Sequence, residues 1–161
     1  MTGAVDHKGE ESLKELHGYY IEDLDVGMTK VFTKTVTETD IVTFAGISGD
    51  TNPIHLDKTF AQHSIFKERI AHGLLSASFI SAVLGTRLPG PGCIYLSQSL
   101  NFLSAVRIGD TVTARATITA IDREKRRVVL TTVCSVDDRV AVEGEAVLMV
   151  ARRPAELQAA E

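Results

Sequence analysis

Cysteine and tryptophan are nearly missing from this 161-residue chain, which has two of the first and none of the second. Cys93 and Cys134 each sit in an apolar, strand-like stretch and form no CxxC or other metal-ligand spacing. That excludes a disulfide framework, and two buried reduced thiols are expected. An excess of one charge is missing too: 17 basic residues face 21 acidic ones, for a formal net charge of -4. Without a clustered basic stripe the chain has no electrostatic footprint for nucleic acid. Its only basic run, Arg123-Glu124-Lys125-Arg126-Arg127, includes an acid and lies between two strand-like segments, as a solvated hairpin loop would. Long hydrophobic runs are lacking as well. The longest, Gly73 to Leu84, falls far short of the ~20 residues that span a bilayer, and Ser76, Ser78 and Ser81 interrupt it. It is expected to be a buried helix of a protein without a membrane segment. Met1 to Glu15 has no apolar core followed by a small-residue cleavage site, so no signal peptide is expected and the cytoplasm is the expected location.

With 44% apolar residues the chain can bury one sizeable core. The expectation is one domain, residues 19–153, between flexible segments 1–18 and 154–161. Lys30 to Thr37 is β-prone and follows a turn at Asp25-Val26-Gly27. Thr39-Asp40 is placed to cap a short helix, Ile41 to Gly46, and a second amphipathic piece covers Lys58 to Gln62. Leu74 to Leu84 is apolar almost all the way round a helical turn, which suits a helix in the middle of a structure. Gly85 is its expected stop, followed by the rigid turn Pro89-Gly90-Pro91-Gly92. The rest is β: Cys93 to Leu103 as one long strand, Thr111 to Ile121 with Val112, Ala114, Ala116, Ile118 and Ala120 on one face, then Val128 to Val136 and Val140 to Val150. A long apolar helix followed by an antiparallel meander requires a sheet wrapped around that helix, hence an α+β domain.

Chemistry concentrates in Ser48-Gly49-Asp50-Thr51-Asn52-Pro53-Ile54-His55. Pro53 fixes its own φ and keeps Asn52 out of the helical region, so the chain bends between Asp50 and His55 and lets both face one cavity. A carboxylate and an imidazole over one small space can position a water and move its protons. Spacing alone suits an Asp that caps a turn and a hydrogen-bonded histidine at least as well. His63 and His72, taken with His55 and Asp57, match no recognised metal spacing, and no metal is expected.

This stretch resembles the hydratase motif of the MaoC-like family: an aromatic residue, then Ser-Gly-Asp-x-Asn-Pro-aliphatic-His, then a small residue. Phe44, Ser48, Gly49, Asp50, Asn52, Pro53, Ile54, His55 and Ala61 all fit it. The resemblance runs from about Tyr20 to Arg152 and takes in Ala71-His72-Gly73-Leu74-Leu75, Pro89-Gly90-Pro91-Gly92, Ser97 to Phe102 and Gly144-Glu145-Ala146. It implies a hot-dog fold, a homodimer with sheets side by side, and (R)-specific hydration of enoyl-CoA, in some members supplying polyhydroxyalkanoate synthesis or linked to fatty-acid oxidation. It also implies that Asp50 and His55 are catalytic, with coenzyme A entering only as part of the substrate and no further cofactor. Gly73, opening the central helix, is the candidate donor to the thioester oxygen, because backbone N–H groups are free there and the missing side chain allows close approach. Asn52 is expected to orient the loop or the water. Ser76, Ser81 and Leu84 are candidates to line an acyl tunnel, with core packing the more ordinary role for each. The competing expectations are a 3-hydroxyacyl dehydratase acting on acyl-carrier-protein thioesters, for which Lys58, Lys67 and Arg69 would form a docking patch, and a thioesterase on the same fold.

Overall fold

A computed structural model of the chain describes residues 16–155. Of the expected flexible ends, 1–15 and 156–161 lie outside the described residues. Residues 16–18 do not hang free: His17 stacks on Tyr20, and Gly18 donates its amide to the Pro91 carbonyl.

A 3-10 turn, Ile21–Asp23, leads into strand β1, Thr29–Thr35. Helix α1, Glu38–Ser48, starts one turn earlier than Thr39-Asp40 suggested. Thr37 is its cap: the Thr37 hydroxyl accepts from the Asp40 amide while the Asp40 carboxylate accepts from the Thr37 amide. That reciprocal pair satisfies two of the helix's free donors. Gly49, at φ 77°, ends the helix in the left-handed region that glycine adopts without strain. Two short helices follow, α2 (Pro53–Leu56) and α3 (Lys58–His63), and then the long α4, Gly73–Thr86. Gly85 therefore lies inside α4 and does not end it.

The sheet is antiparallel and six-stranded. Strands β4 (Thr111–Asp122), β5 (Arg127–Val136) and β6 (Arg139–Met149) form the expected meander, with β1 added outside β4. The expected long strand Cys93 to Leu103 is two: β2 (Ile94–Gln98) and β3 (Asn101–Phe102), both paired with β6. They separate at Ser99, where the Ser99 amide donates to the Glu145 carbonyl and its hydroxyl accepts from the Glu145 amide. Gly144 makes this close approach possible, since a Cβ there would lie 1.8 Å from the Ser99 carbonyl oxygen.

Packing follows the alternation. Val112, Ala114, Ala116 and Ile118 are buried against Phe79, Ile80, Val83 and Leu84 of α4. Ala120 does not join them and is exposed: the β4–β5 register shifts between Ile118 and Ala120, and one extra residue turns the strand's faces over. The run at Arg123–Arg127 is more than a solvated loop, because the Arg123 guanidinium donates to the carbonyls of Ile21 and Leu24 and ties the 3-10 turn to the β4–β5 hairpin. Helix α4 packs across β1, β4, β5 and β6 but is not covered all round. Leu74, Ser78, Ser81 and Gly85, spaced by three or four residues, form an exposed stripe. Among the described residues no helix is long and apolar enough to cross a membrane. Cys134 is buried and Cys93 partly so, both as free thiols.

Candidate active site

The site forms where the α1–α2 loop meets the N-terminus of α4. Asp50 follows the Gly49 cap; its amide donates to the Ser48 hydroxyl and its Oδ1 accepts from the Asn52 amide. Asn52 in turn caps α2, with its Oδ1 accepting from the Ile54 amide. The loop is therefore held by short-range bonds, as Asp and Asn side chains in turns provide. One turn later α2 carries His55 inward. Its Nδ1 lies 2.9 Å from the Ile70 carbonyl oxygen. Facing an acceptor, Nδ1 carries the proton and leaves the Nε2 lone pair directed at Asp50.

Asp50 Oδ2 and His55 Nε2 are 3.9 Å apart, with side-chain exposures of 52% and 10%. That gap is too long for a direct hydrogen bond, yet a small oxygen species at ~2.8 Å from each atom spans it. The carboxylate stays hydrated while the imidazole is dry. Burial holds the His55 pKa below its usual 6.5, with the neighbouring His72 adding in the same direction; the Ile70 carbonyl and Asp50 pull the other way. His55 is thus held neutral and basic at Nε2 near neutral pH.

Arg69 fixes the far side of His55. Its Nε donates to the His55 carbonyl and its terminal nitrogen to both oxygens of Glu38. These bonds take Arg69 out of the carrier-protein docking patch that the sequence suggested with Lys58 and Lys67.

Asp50 and His55 line a cavity of about 400 Å³ that also reaches Gly73, Ser76, Phe102 and Val142. Gly73 and Leu74 are the first residues of α4, so their N–H groups have no intrahelical acceptor. A Cβ at Gly73 would stand 2.7 Å from the Phe102 ring, so any side chain there would have to displace that ring. Asn52 is not among the cavity-lining residues and acts on the loop. Ser76 lines the cavity, Leu84 is core, and Ser81 is exposed in a shallow groove with Tyr95 and Gln98. Sequence reasoning gave His72 no role. Its Nε2 bonds the Asp50 carbonyl at 2.9 Å, and its ring lies between Phe44 and His55, with centroids 5.1 and 3.8 Å away.

Asp50, His55 and His72 each bring a possible ligand atom within 4.8 Å of the others. The two imidazoles overlie one another with only 30° between their planes. One nitrogen of each ring already faces a backbone carbonyl, His55 Nδ1 that of Ile70 and His72 Nε2 that of Asp50.

A curved antiparallel sheet around one central helix, with Asp50 and His55 facing one another at that helix's N-terminus, defines a hot-dog domain. The chain belongs to the MaoC-like family, whose model, described as "MaoC like domain", matches residues 25–140. It is 54% identical to an (R)-specific enoyl-CoA hydratase of Rhodospirillum rubrum, over 88% of this chain and 99% of the relative. A solved structure, an (R)-hydratase of Aeromonas caviae involved in PHA biosynthesis, superposes with a TM-score of 0.78 at 42% identity, covering 80% of this chain and 98% of that one. A mitochondrial 3-hydroxyacyl-[acyl-carrier-protein] dehydratase of Arabidopsis thaliana is 32% identical over 76% of this chain and 75% of its own length.

Proposed function

We propose that this chain is an (R)-specific enoyl-CoA hydratase, which adds water syn across trans-2-enoyl-CoA to give (R)-3-hydroxyacyl-CoA, reversibly. The observation that carries this reading is the 3.9 Å gap between Asp50 Oδ2 and the His55 Nε2 lone pair, opening into the same cavity as Gly73. A water in that gap donates to both groups. Its oxygen bonds to C3, the Asp50–His55 pair takes up one of its protons, and the pair delivers a proton to C2 on the same face. Electron density moves from the double bond to the thioester oxygen and back to C2. Gly73 N–H, at the positive end of α4, stabilises that oxygen while it is charged. Asn52 holds the loop that aims Asp50. No cofactor takes part, and coenzyme A arrives with the substrate.

The carrier-protein dehydratase reading uses the same chemistry in reverse. It is weaker because the relative with that name shares 32% identity against 54% for the hydratase and because Arg69 is engaged with Glu38 and His55. Nothing in the cavity favours a thioesterase. The proposal includes a cytoplasmic role in supplying precursors for polyhydroxyalkanoate synthesis, the process the Aeromonas relative serves, and a homodimer. Support for the dimer comes from β2, an edge strand whose Ile94, Tyr95 and Leu96 are all exposed, next to exposed Phe102 and Leu103. An apolar free edge is the surface on which a second sheet pairs.

The test follows loss of enoyl-thioester absorbance when purified protein meets crotonyl-CoA, with chiral analysis of the product. Rapid formation of the (R)-3-hydroxyacyl thioester is expected, with turnover reduced at least ~10²-fold in Asp50→Asn and in His55→Ala, the scale for removing an acid–base group. Release of free CoA would overturn the reading, as would near-normal turnover in either variant.

A further inference from the structure

Among the described residues Ser76 is a buried hydroxyl without a protein partner. It is 1% exposed, and its Oγ meets no donor or acceptor. A serine in a helix commonly bonds the carbonyl four residues back, here that of His72; Ser76 does not. Leaving such a group dry and unpaired is unfavourable, so a hydroxyl kept this way on the wall of a cavity points to a ligand that completes it. The cavity is the one that holds Asp50, His55 and Gly73.

Helix geometry places the hydroxyl. Ser76 is three residues after Gly73, on the same face of α4, and helical side chains lean toward the N-terminus, over the preceding turn. The turn that Ser76 leans over is the one where Gly73 has no side chain and a free N–H. The next amides along the helix divide: those of Leu75 and Ser76 both donate to the His72 carbonyl, while that of Leu74, like that of Gly73, has no intrahelical acceptor. An acceptor docked against Gly73 therefore faces backbone N–H groups at the start of α4, and the Ser76 hydroxyl is the side-chain donor on the same cavity wall. His72 Nδ1, the other buried side-chain atom without a partner among the described residues, is an acceptor because Nε2 faces the Asp50 carbonyl, and it cannot serve a carbonyl oxygen.

We infer that Ser76 is a substrate-binding donor: its hydroxyl and the Gly73 N–H together hold the thioester carbonyl oxygen, and both strengthen as that oxygen gains charge. This deepens the hydratase reading and rests on it. Donors aimed at a developing oxyanion act mostly on the chemical step.

The experiment compares the full-length wild type with Ser76→Ala on crotonyl-CoA. Alanine removes only the unpaired hydroxyl, so the thermal midpoint should hold or rise. A fall in kcat/KM of about tenfold or more, carried mainly by kcat, is expected. Binding of a conjugated dienoyl-CoA supplies a readout that a purely structural role would not move. Carbonyl polarisation shifts its absorbance to longer wavelength in the wild type, and the shift should shrink in Ser76→Ala. Activity within twofold of wild type, or an unchanged shift, overturns the role of Ser76 and leaves the hydratase reading intact. A wild type that fails to hydrate crotonyl-CoA overturns that reading first.

Discussion

At the scale of single residues, His55 shows how a fold sets a side chain's chemistry. Its Nδ1 is committed to the Ile70 carbonyl, and burial together with His72 lowers its pKa from 6.5. The unfolded chain therefore takes up a proton as pH falls through 6.5, before the folded one does. This contribution favours the folded state least at pH values below that window. Stability is lost as pH drops from about 6.5 toward the folded pKa. A His55→Gln variant should show a flatter dependence of thermal midpoint on pH in that range. The acid limb of the kcat/KM profile should lie below pH 6.5, since Nε2 must be unprotonated to accept from water. An inflection above 6.5 would contradict a dry, neutral His55.

Glycine positions illustrate the scale of elements, because two that look alike in sequence have opposite tolerance. Gly144 lies inside β6, where its missing side chain admits Ser99 and lets β2 and β3 separate. Gly144→Ala should destabilise the protein by at least about 1 kcal/mol in chemical denaturation, the low end for forcing a methyl into a packed site. Gly46 lies inside α1 with nothing within 4 Å of the position a Cβ would take. Gly46→Ala should be neutral or stabilising by up to ~1 kcal/mol, because it lowers the backbone entropy lost on forming the helix. Equal effects at both positions would show that the close approach at Ser99 is not what Gly144 provides.

At the scale of the molecule, the described residues leave one side of the central helix and one edge of the sheet apolar and open: Leu74, Ser78 and Ser81 on α4, Ile94 to Leu96 on β2, and Phe102 and Leu103 beside the cavity. Phe102 and Leu74 line the cavity as well, so a second copy seated here would also shield the acid–base pair. The wild type is expected to run as a dimer by light scattering. Leu96→Asp, which places a carboxylate on the exposed edge, should shift it toward monomer with little change in the fold by circular dichroism. A monomeric wild type would remove the dimer from the proposal.

Local pattern was enough for much of this protein. Ser48 to His55 marks the loop that bears Asp50 and His55, because a left-handed Gly49, a capping Asn52 and a helix-starting Pro53 act within a few residues of one another. The apolar run after His72 and the alternation from Thr111 onward likewise define the central helix and the meander, since helix and strand periods are written in the order of side chains. Three things depended on contacts distant in sequence. The shift that exposes Ala120 belongs to the pairing of β4 with β5, and the break at Ser99 belongs to β6. The roles of His72, Arg69 and Ser76 arise where α4 and the preceding loop meet residues distant in sequence: the Asp50 carbonyl, 22 positions from His72, the His55 carbonyl and Glu38, 14 and 31 positions from Arg69, and a shared cavity. Local order records which groups a segment carries; their protonation, partners and exposure follow from what tertiary packing brings against them.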